Sequence, residues 1–475
     1  MKFYIGLLIL AITCFGCKKD TRSSDRNYAY FGGQVINPKS NFVVLYKSEN
    51  VLDTILLDGN NRFIHKIDNL KAGFYTFRHG DEIQSVLLEP QDSLLFRLNT
   101  LDFDESLVYT GLGAKKNNYF ISEYLQNEPS LEVKNLYKSC QLDIKSFEEK
   151  IKNIRKRSYK VLEAFKEKNP TSNLFNNLAK ANIDYNYYLK KEAYPLYHKG
   201  TSESETLALL PNDFYAYREL VNYNDSLLKD SFSYQSFLRY NLSNLSCKTH
   251  LDHSKKKHFN WASVCFTLDR LNLIDSLIDD TTIKNNLLYH YTSRFLANNK
   301  EGKNNEAIIE AYLEKSTDKE KSKMVKQYAS AIKSLKPGNY LPNIVIKDYS
   351  NKEYQLDSKI QATTVICFWT LAAYNHFKDC HNRVKELEIK YPEVSFIRIN
   401  IDDYNAETIQ KTLRKNYIGL DNEYLFKNPE KARATLAIYP KIKTFIIDKN
   451  KKIVNSNSNI FNHNFEEELL GAINR

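Results

Sequence analysis

Toward its C-terminal end the chain alternates short apolar runs with stretches of helical period, and few folds accommodate that order. Thr363 to Phe368 reads as a buried strand, Phe377 to Lys390 as a helix, Ser395 to Ile401 as a second strand and Ala406 to Lys415 as a second helix. Thr444 to Asp448 and Lys452 to Val454 read as a hairpin turning through Lys449-Asn-Lys, and Phe465 to Asn474 as a closing helix. This order predicts helices covering a central mixed sheet. At 475 residues the chain exceeds one ordinary core, so two or three domains are expected.

Upstream, residues 28–112 carry strand signals. Apolar alternation in Phe63-Ile-His-Lys-Ile67 and Leu94-Leu-Phe-Arg-Leu98, punctuated by turns at Asp58-Gly-Asn-Asn61 and Lys71-Ala-Gly73, predicts a small β-sandwich. Residues 113–336 read as a compact helical domain. Ile144, Phe147, Ile151, Ile154, Val161, Leu162 and Phe165 fall on one helix face, and Asn169-Pro170 ends that helix. Asn212 and Asp213 read as a cap before Phe214 to Leu220. Lys336-Pro-Gly-Asn339 is a breaker cluster, and a third domain is expected over residues 337–475. The fold class is therefore multidomain α+β: a small N-terminal β-sandwich, a central helical domain and a C-terminal α/β domain.

Within that last region, Val365 to His376 reads Val-Ile-Cys-Phe-Trp-Thr-Leu-Ala-Ala-Tyr-Asn-His. An apolar run ending in Phe368-Trp369 resembles the strand that precedes the redox motif of thioredoxin-like proteins. With Leu341-Pro342, Ile399-Asn-Ile-Asp402 and Phe445-Ile-Ile-Asp448 in order, residues 337–475 resemble the TlpA-type domains of envelope thiol-disulfide oxidoreductases. Residues 28–112, with the junction Gly111-Leu-Gly-Ala-Lys-Lys-Asn-Asn-Tyr119, are similar to the β domain that precedes such domains in Bacteroidetes lipoproteins. The resemblance implies a thioredoxin-like fold. It also implies a substrate groove beside Trp369, Ala373, Tyr374 and Ile442.

The same resemblance shows what is missing. The two cysteine positions of the family motif fall on Ala373 and His376, and no Cys-x-x-Cys occurs after the N-terminal Cys14-Phe-Gly-Cys17. Thiol-disulfide exchange needs an attacking thiolate and a second, resolving sulfur. The family's cis-proline position, counted back from Asp448, falls on Ile442, with Pro440 two residues earlier. A non-proline cis bond costs about 2.5–4 kcal/mol, so a trans bond is expected at Ile442. Cys380 is the alternative thiol, one helical turn after His376 and next to His381. The bland reading of Cys380 is an ordinary helix cysteine, and Cys367 reads as a buried small hydrophobe.

The address is read from the N-terminus. Lys2 precedes an apolar core too short to span a bilayer, as in a secretory signal. Cys14-Phe-Gly-Cys17 follows, and a small residue before a cysteine resembles the lipobox of bacterial lipoproteins. The expectation is a signal over residues 1–17, lipidation of Cys17 (Cys14 being the alternative), and a polar tether over residues 18–27. Lys18 points to the outer membrane by analogy, and a lipid anchor tethers without spanning. The remaining cysteines, Cys140, Cys247, Cys265, Cys367 and Cys380, are odd in number and scattered, which is no disulfide framework. The net charge of +11 is spread along the chain and fits anionic lipid or glycan surroundings before nucleic acid. Lys255 to Lys257 reads as a solvated loop.

Two groups offer metal-ligand side chains: His376, Cys380 and His381, and Cys247, His250, His253 and His258. The second group sits beside a lysine run in what reads as a loop, with no second pair at a familiar finger spacing after it, and no metal or cofactor is expected at either. No phosphate-binding glycine loop, Gly-x-Ser-x-Gly or His-Glu-x-x-His is present. Triplets such as Asp53-Thr-Ile and Asp225-Ser-Leu resemble O-glycosylation acceptors, and caps or turns account for them equally.

The reading is an envelope-anchored thioredoxin-like lipoprotein without its dithiol, kept as a binding or scaffolding module for an envelope protein or peptide. The rivals are a divergent thiol-disulfide oxidoreductase working through Cys380, and a purely structural envelope component.

Overall fold

The computed structural model describes residues 27–48, 50–80, 82–199, 203–253, 260, 262–299, 304–403, 406–438 and 442–474. Cys14, Cys17, Lys255 to His258 and Pro440 lie outside them. Eight strands come first: β1 (Tyr28–Ile36), β2 (Phe42–Lys47), β3 (Asn50–Leu56), β4 (Arg62–Asp68), β5 (Gly73–His79), β6 (Glu82–Leu88), β7 (Ser93–Asn99) and β8 (Val108–Leu112), with the single-turn helix α1 (Phe103–Ser106) before β8. They form two four-stranded sheets, ordered β4-β1-β7-β8 and β3-β2-β5-β6. All pairings are antiparallel except β1 with β7. Along β7, Leu94, Phe96 and Leu98 turn inward while Leu95 and Arg97 face out, as the two-residue period of a strand requires. Between the sheets, Phe96 stacks on Phe77 with ring centroids 4.9 Å apart.

The helical region runs α2 (Ala114–Leu131), α3 (Val133–Cys140), α4 (Ile144–Lys168), α5 (Asn173–Tyr197), α6 (Glu203–Leu209), α7 (Phe232–His253), α8 (Val264–Leu277), α9 (Thr281–Asn298), α10 (Asn305–Lys315) and α11 (Lys319–Ser334). The junction segment holds α2 to the strands. Gly113 precedes α2 at φ 94°, and a Cβ there would lie 2.6 Å from the Asp92 carboxylate. The Asn117 amide accepts from Leu87 N at 2.7 Å and donates to Leu87 O at 2.9 Å. Asn118 does the same for Tyr109. Two asparagines thus satisfy backbone groups that a further strand would otherwise have to pair.

The expected apolar face of α4 is present. Phe147, Ile151 and Leu162 are fully buried, and Ile144, Val161 and Phe165 pack beside them. Asp143 caps its start by accepting from Lys145 N and Ser146 N. The segment after Asp213 is shorter than the pattern suggested: its helical part is a 3-10 turn, Ala216–Leu220. Its reason is tertiary. Arg218 and Tyr217 reach the buried carboxylate of Glu192 on α5, at 2.6–2.8 Å and 2.6 Å, and Asn241 and Asn244 of α7 complete its shell. A buried charge persists only when paired and hydrogen-bonded on all sides.

The C-terminal region comprises β9 (Val345–Lys347), β10 (Glu353–Gln355), β11 (Thr364–Trp369), α12 (Tyr374–Lys390), β12 (Ser395–Asn400), α13 (Ala406–Lys415), β13 (Glu423–Phe426), α14 (Pro429–Thr435), β14 (Thr444–Ile447), β15 (Ile453–Ser458) and α15 (Phe465–Ile473). Its seven strands form one mixed sheet, ordered β10-β9-β13-β12-β11-β14-β15. β11 is parallel to β12 and antiparallel to β14, which pairs antiparallel with β15. A parallel strand-helix-strand unit followed by an antiparallel hairpin and a closing helix is the thioredoxin-like arrangement, so the chain is a multidomain α+β protein ending in that fold. Every residue of β11 is buried. Val365 and Cys367 face α12 and α15, and Ile366 and Phe368 face α14 on the opposite side.

Candidate functional site

The site expected from the sequence begins where β11 ends. Asp402, just after β12, organises the loop: its carboxylate accepts from Leu371 N at 2.7 Å, from Asn400 at 3.0 Å and from the Thr370 hydroxyl. Burial pushes the Asp402 carboxyl up, and these donors pull it back. The loop thereby delivers Ala373 to the cap position of α12, where it supplies no capping side chain. α12 starts at Tyr374, three residues before the periodic pattern implied, and the Tyr374 hydroxyl donates to Asn416 Oδ1 at 2.8 Å.

Neither of the two positions that the sequence resemblance aligns with cysteines holds a sulfur. Ala373 has no reactive atom. His376 is half-buried against the edge of Phe461, with ring centroids 5.7 Å apart, and its Nδ1 is buried without a hydrogen-bond partner. Burial holds its imidazole below the usual histidine range, favouring the neutral ring.

Cys380 and Cys367 are both buried free thiols in one apolar cluster with Val365, Val384, Leu387 and Phe465. Their side chains touch. Hydrogen bonding to Cys380 and burial push the Cys367 thiol well above the ordinary cysteine range. A raised, buried thiol is a poor nucleophile. His381 does not activate Cys380 either. Its Nδ1 meets Phe377 O at 2.7 Å and its Nε2 meets Glu423 Oε1 at 3.0 Å.

Glu423 was not legible as a site residue. It is fully buried in β13, beneath the loop, and collects Trp369 Nε1 at 3.2 Å, His381 Nε2 at 3.0 Å and Arg398 Nε at 2.5 Å. Arg398 is anchored in turn by Glu388 at 2.8 Å. The network joins β11, α12, β12 and β13, and it fixes the indole plane.

The outer face of this site is covered from within the chain. Trp369, Leu371 and Phe377 form one buried cluster with Phe42 and Val44 of β2, and with Ile409 and Leu413 of α13. Tyr374 packs at its margin, under the Lys39 ammonium 5.5 Å from its ring centre. The Lys415 ammonium donates to the carbonyl of Pro38. Of the expected groove residues, Trp369 and Tyr374 therefore come together, whereas Ile442 packs on the separate cluster of Ile366 and Phe368.

A second feature had no signal in the sequence. A cavity of about 910 Å³ lies among α5, α7, α8 and α9, with Arg239, Arg270, Arg294 and His290 in its wall and no acidic side chain among the described residues. Arg270 is buried, its guanidinium 4.1 Å from the ring centre of Phe266 and 4.3 Å from that of Tyr291, and its Nε has no hydrogen-bond partner among the described residues. Burial, then the three arginines, push His290 down to about 4.

No protein-family profile matches the chain, and no curated protein sequence matches it. Solved structures do. A candidate thiol-disulfide oxidoreductase from Bacteroides vulgatus aligns with 29% of this chain and 98% of its own length, at 17% identity and a TM-score of 0.27. The thioredoxin domain of a thiol-disulfide oxidoreductase from the same organism aligns with 25% of this chain and 86% of its own, at 18% identity and a TM-score of 0.22. A thiol:disulfide interchange protein from Bacteroides sp. aligns with 25% of this chain and 80% of its own, at 15% identity and a TM-score of 0.22.

Proposed function

We propose that this chain is a lipid-anchored envelope protein whose thioredoxin-like domain is a redox-inactive scaffold. The face that would carry dithiol chemistry instead holds the chain's own N-terminal strands. The observation that carries this reading is the buried cluster joining Phe42 and Val44 to Trp369, Leu371 and Phe377. A groove meant for an exchanging peptide substrate would leave the indole reachable. Here Trp369 is wholly buried, and Ala373 and His376 offer no sulfur.

The rival oxidoreductase reading rests on Cys380, which is buried against Cys367 in an apolar cluster. The deciding experiment is insulin reduction by the full chain, run beside an Ala373→Cys, His376→Cys double variant. No turnover by either protein is expected, because a restored dithiol would still lie beside the covered face. Turnover by the native chain that Cys380→Ser abolishes would overturn the scaffold reading. Membrane anchoring is tested separately, by fatty-acid incorporation that a Cys17→Ala variant loses. Cross-linking from cells then asks which envelope partner, if any, the scaffold holds.

A further inference from the structure

We infer that the chain carries a zinc-binding site between α7 and α8, built from His250, His253, Cys265 and Asp269. His250 and His253 stand three residues apart in the last turn of α7, so they share a face. Cys265 and Asp269 stand four apart at the start of α8, one turn above the other. Their donor atoms all lie within 4.8 Å of one another. Three of them converge on the fourth: Asp269 Oδ2 is 2.8 Å from His250 Nδ1, 2.9 Å from His253 Nε2 and 4.0 Å from Cys265 Sγ.

Zinc bonds of about 2.0–2.3 Å in a tetrahedron place the donors roughly 3.3–3.8 Å apart. The separations here bracket that range. The donor set also chooses the metal. One thiolate, two imidazoles and one carboxylate suit a borderline-soft cation, whereas magnesium and calcium take oxygen ligands. Hydrogen bonding alone accounts for Asp269 between two imidazoles, but it gives no reason for a thiol at the fourth corner.

Burial is graded across the site. His250 is buried, Asp269 is half-buried, and His253 and Cys265 are exposed. The base is thus held by the helical core while the outer side stays open, and a cation enters without parting the helices. Four protein donors complete a tetrahedral shell, which is the structural kind of zinc site. Its role is to pin the end of α7 to the first turns of α8. The set differs from the sequence pattern: Cys247 is fully buried and takes no part.

Cobalt(II) titration of the chelator-stripped full chain tests the site, with zinc competition giving affinity. The expected result is one cobalt per chain with a thiolate charge-transfer band and tetrahedral visible absorption, both removed by zinc. Cys265→Ser should abolish the charge-transfer band. His253→Ala should weaken zinc binding by more than the roughly 10–100-fold lost with an outer-shell partner. Because both side chains are exposed, circular dichroism should show both variants folded. His463→Gln, an exposed imidazole elsewhere, should bind as the native chain does. Absence of stoichiometric cobalt uptake, or a spectrum unchanged by Cys265→Ser and affinity unchanged by His253→Ala, would overturn the site.

Discussion

The indole N–H of Trp369 donates to Oε2 of Glu423 at 3.2 Å, across 54 positions of sequence and inside a fully buried pocket. Together with His381 and Arg398, the carboxylate makes the floor under the loop between β11 and α12 a polar network. Glu423→Ala should therefore destabilise the protein by about 1–3 kcal/mol, since it leaves the buried indole N–H of Trp369 without its acceptor while Arg398 keeps Glu388. Urea unfolding measures this, and a loss under about 1 kcal/mol would mean the network is not a structural anchor.

Phe42 belongs to the buried cluster that encloses Trp369. Phe42→Ala should cost about 3–5 kcal/mol and open a path to the indole. In a Trp261→Phe background, Trp369 is the remaining tryptophan, and acrylamide quenching reports on it alone. Quenching should be weak in the parent and clearly stronger in the Phe42→Ala variant. Equal quenching in both would contradict a face closed by β2.

Among the described cysteines Cys265 alone is exposed, and Cys140, Cys247, Cys367 and Cys380 are buried. Brief alkylation of the folded, chelator-stripped chain, mapped peptide by peptide, should label Cys265 and leave those four unlabelled until denaturant is added. Burial pushes Cys140 up to about 12, which reinforces its inertness. Rapid native labelling of Cys380 would restore the case for thiol chemistry.

His290 gives a pH dependence with a defined sign. Its folded value is about 4, against an ordinary 6.5, so the unfolded chain takes up the proton first. Stability from this group is complete above about pH 6.5 and is lost as the pH falls toward 4, at most roughly 3 kcal/mol. Urea unfolding at pH 7 and pH 4.5 should show a smaller loss in His290→Asn than in the native chain. Parallel losses would show that His290 is not held neutral beside Arg239, Arg270 and Arg294.

Period and punctuation are local properties, and they were legible. Helix α13 is found at the expected residues, Ala406–Lys415, and β11 is displaced by one position, to Thr364–Trp369. Partners across the sheet were not legible. Nothing near His381 announces that its ring meets Glu423 rather than Cys380. The helical metal-ligand pattern shows the same limit. His250 and His253 were visible as a pair, but the donors that close on them come from the next helix, while Cys247 turns into the core.

By itself the sequence determined the class of each region and the absence of cysteine at positions 373 and 376, because hydrophobic period and residue identity are written locally. Only the tertiary structure decided what covers Trp369. Burying Trp369, Phe377 and Phe42 together takes apolar surface from two distant segments out of water, and that gain depends on their juxtaposition, which no single stretch of sequence encodes.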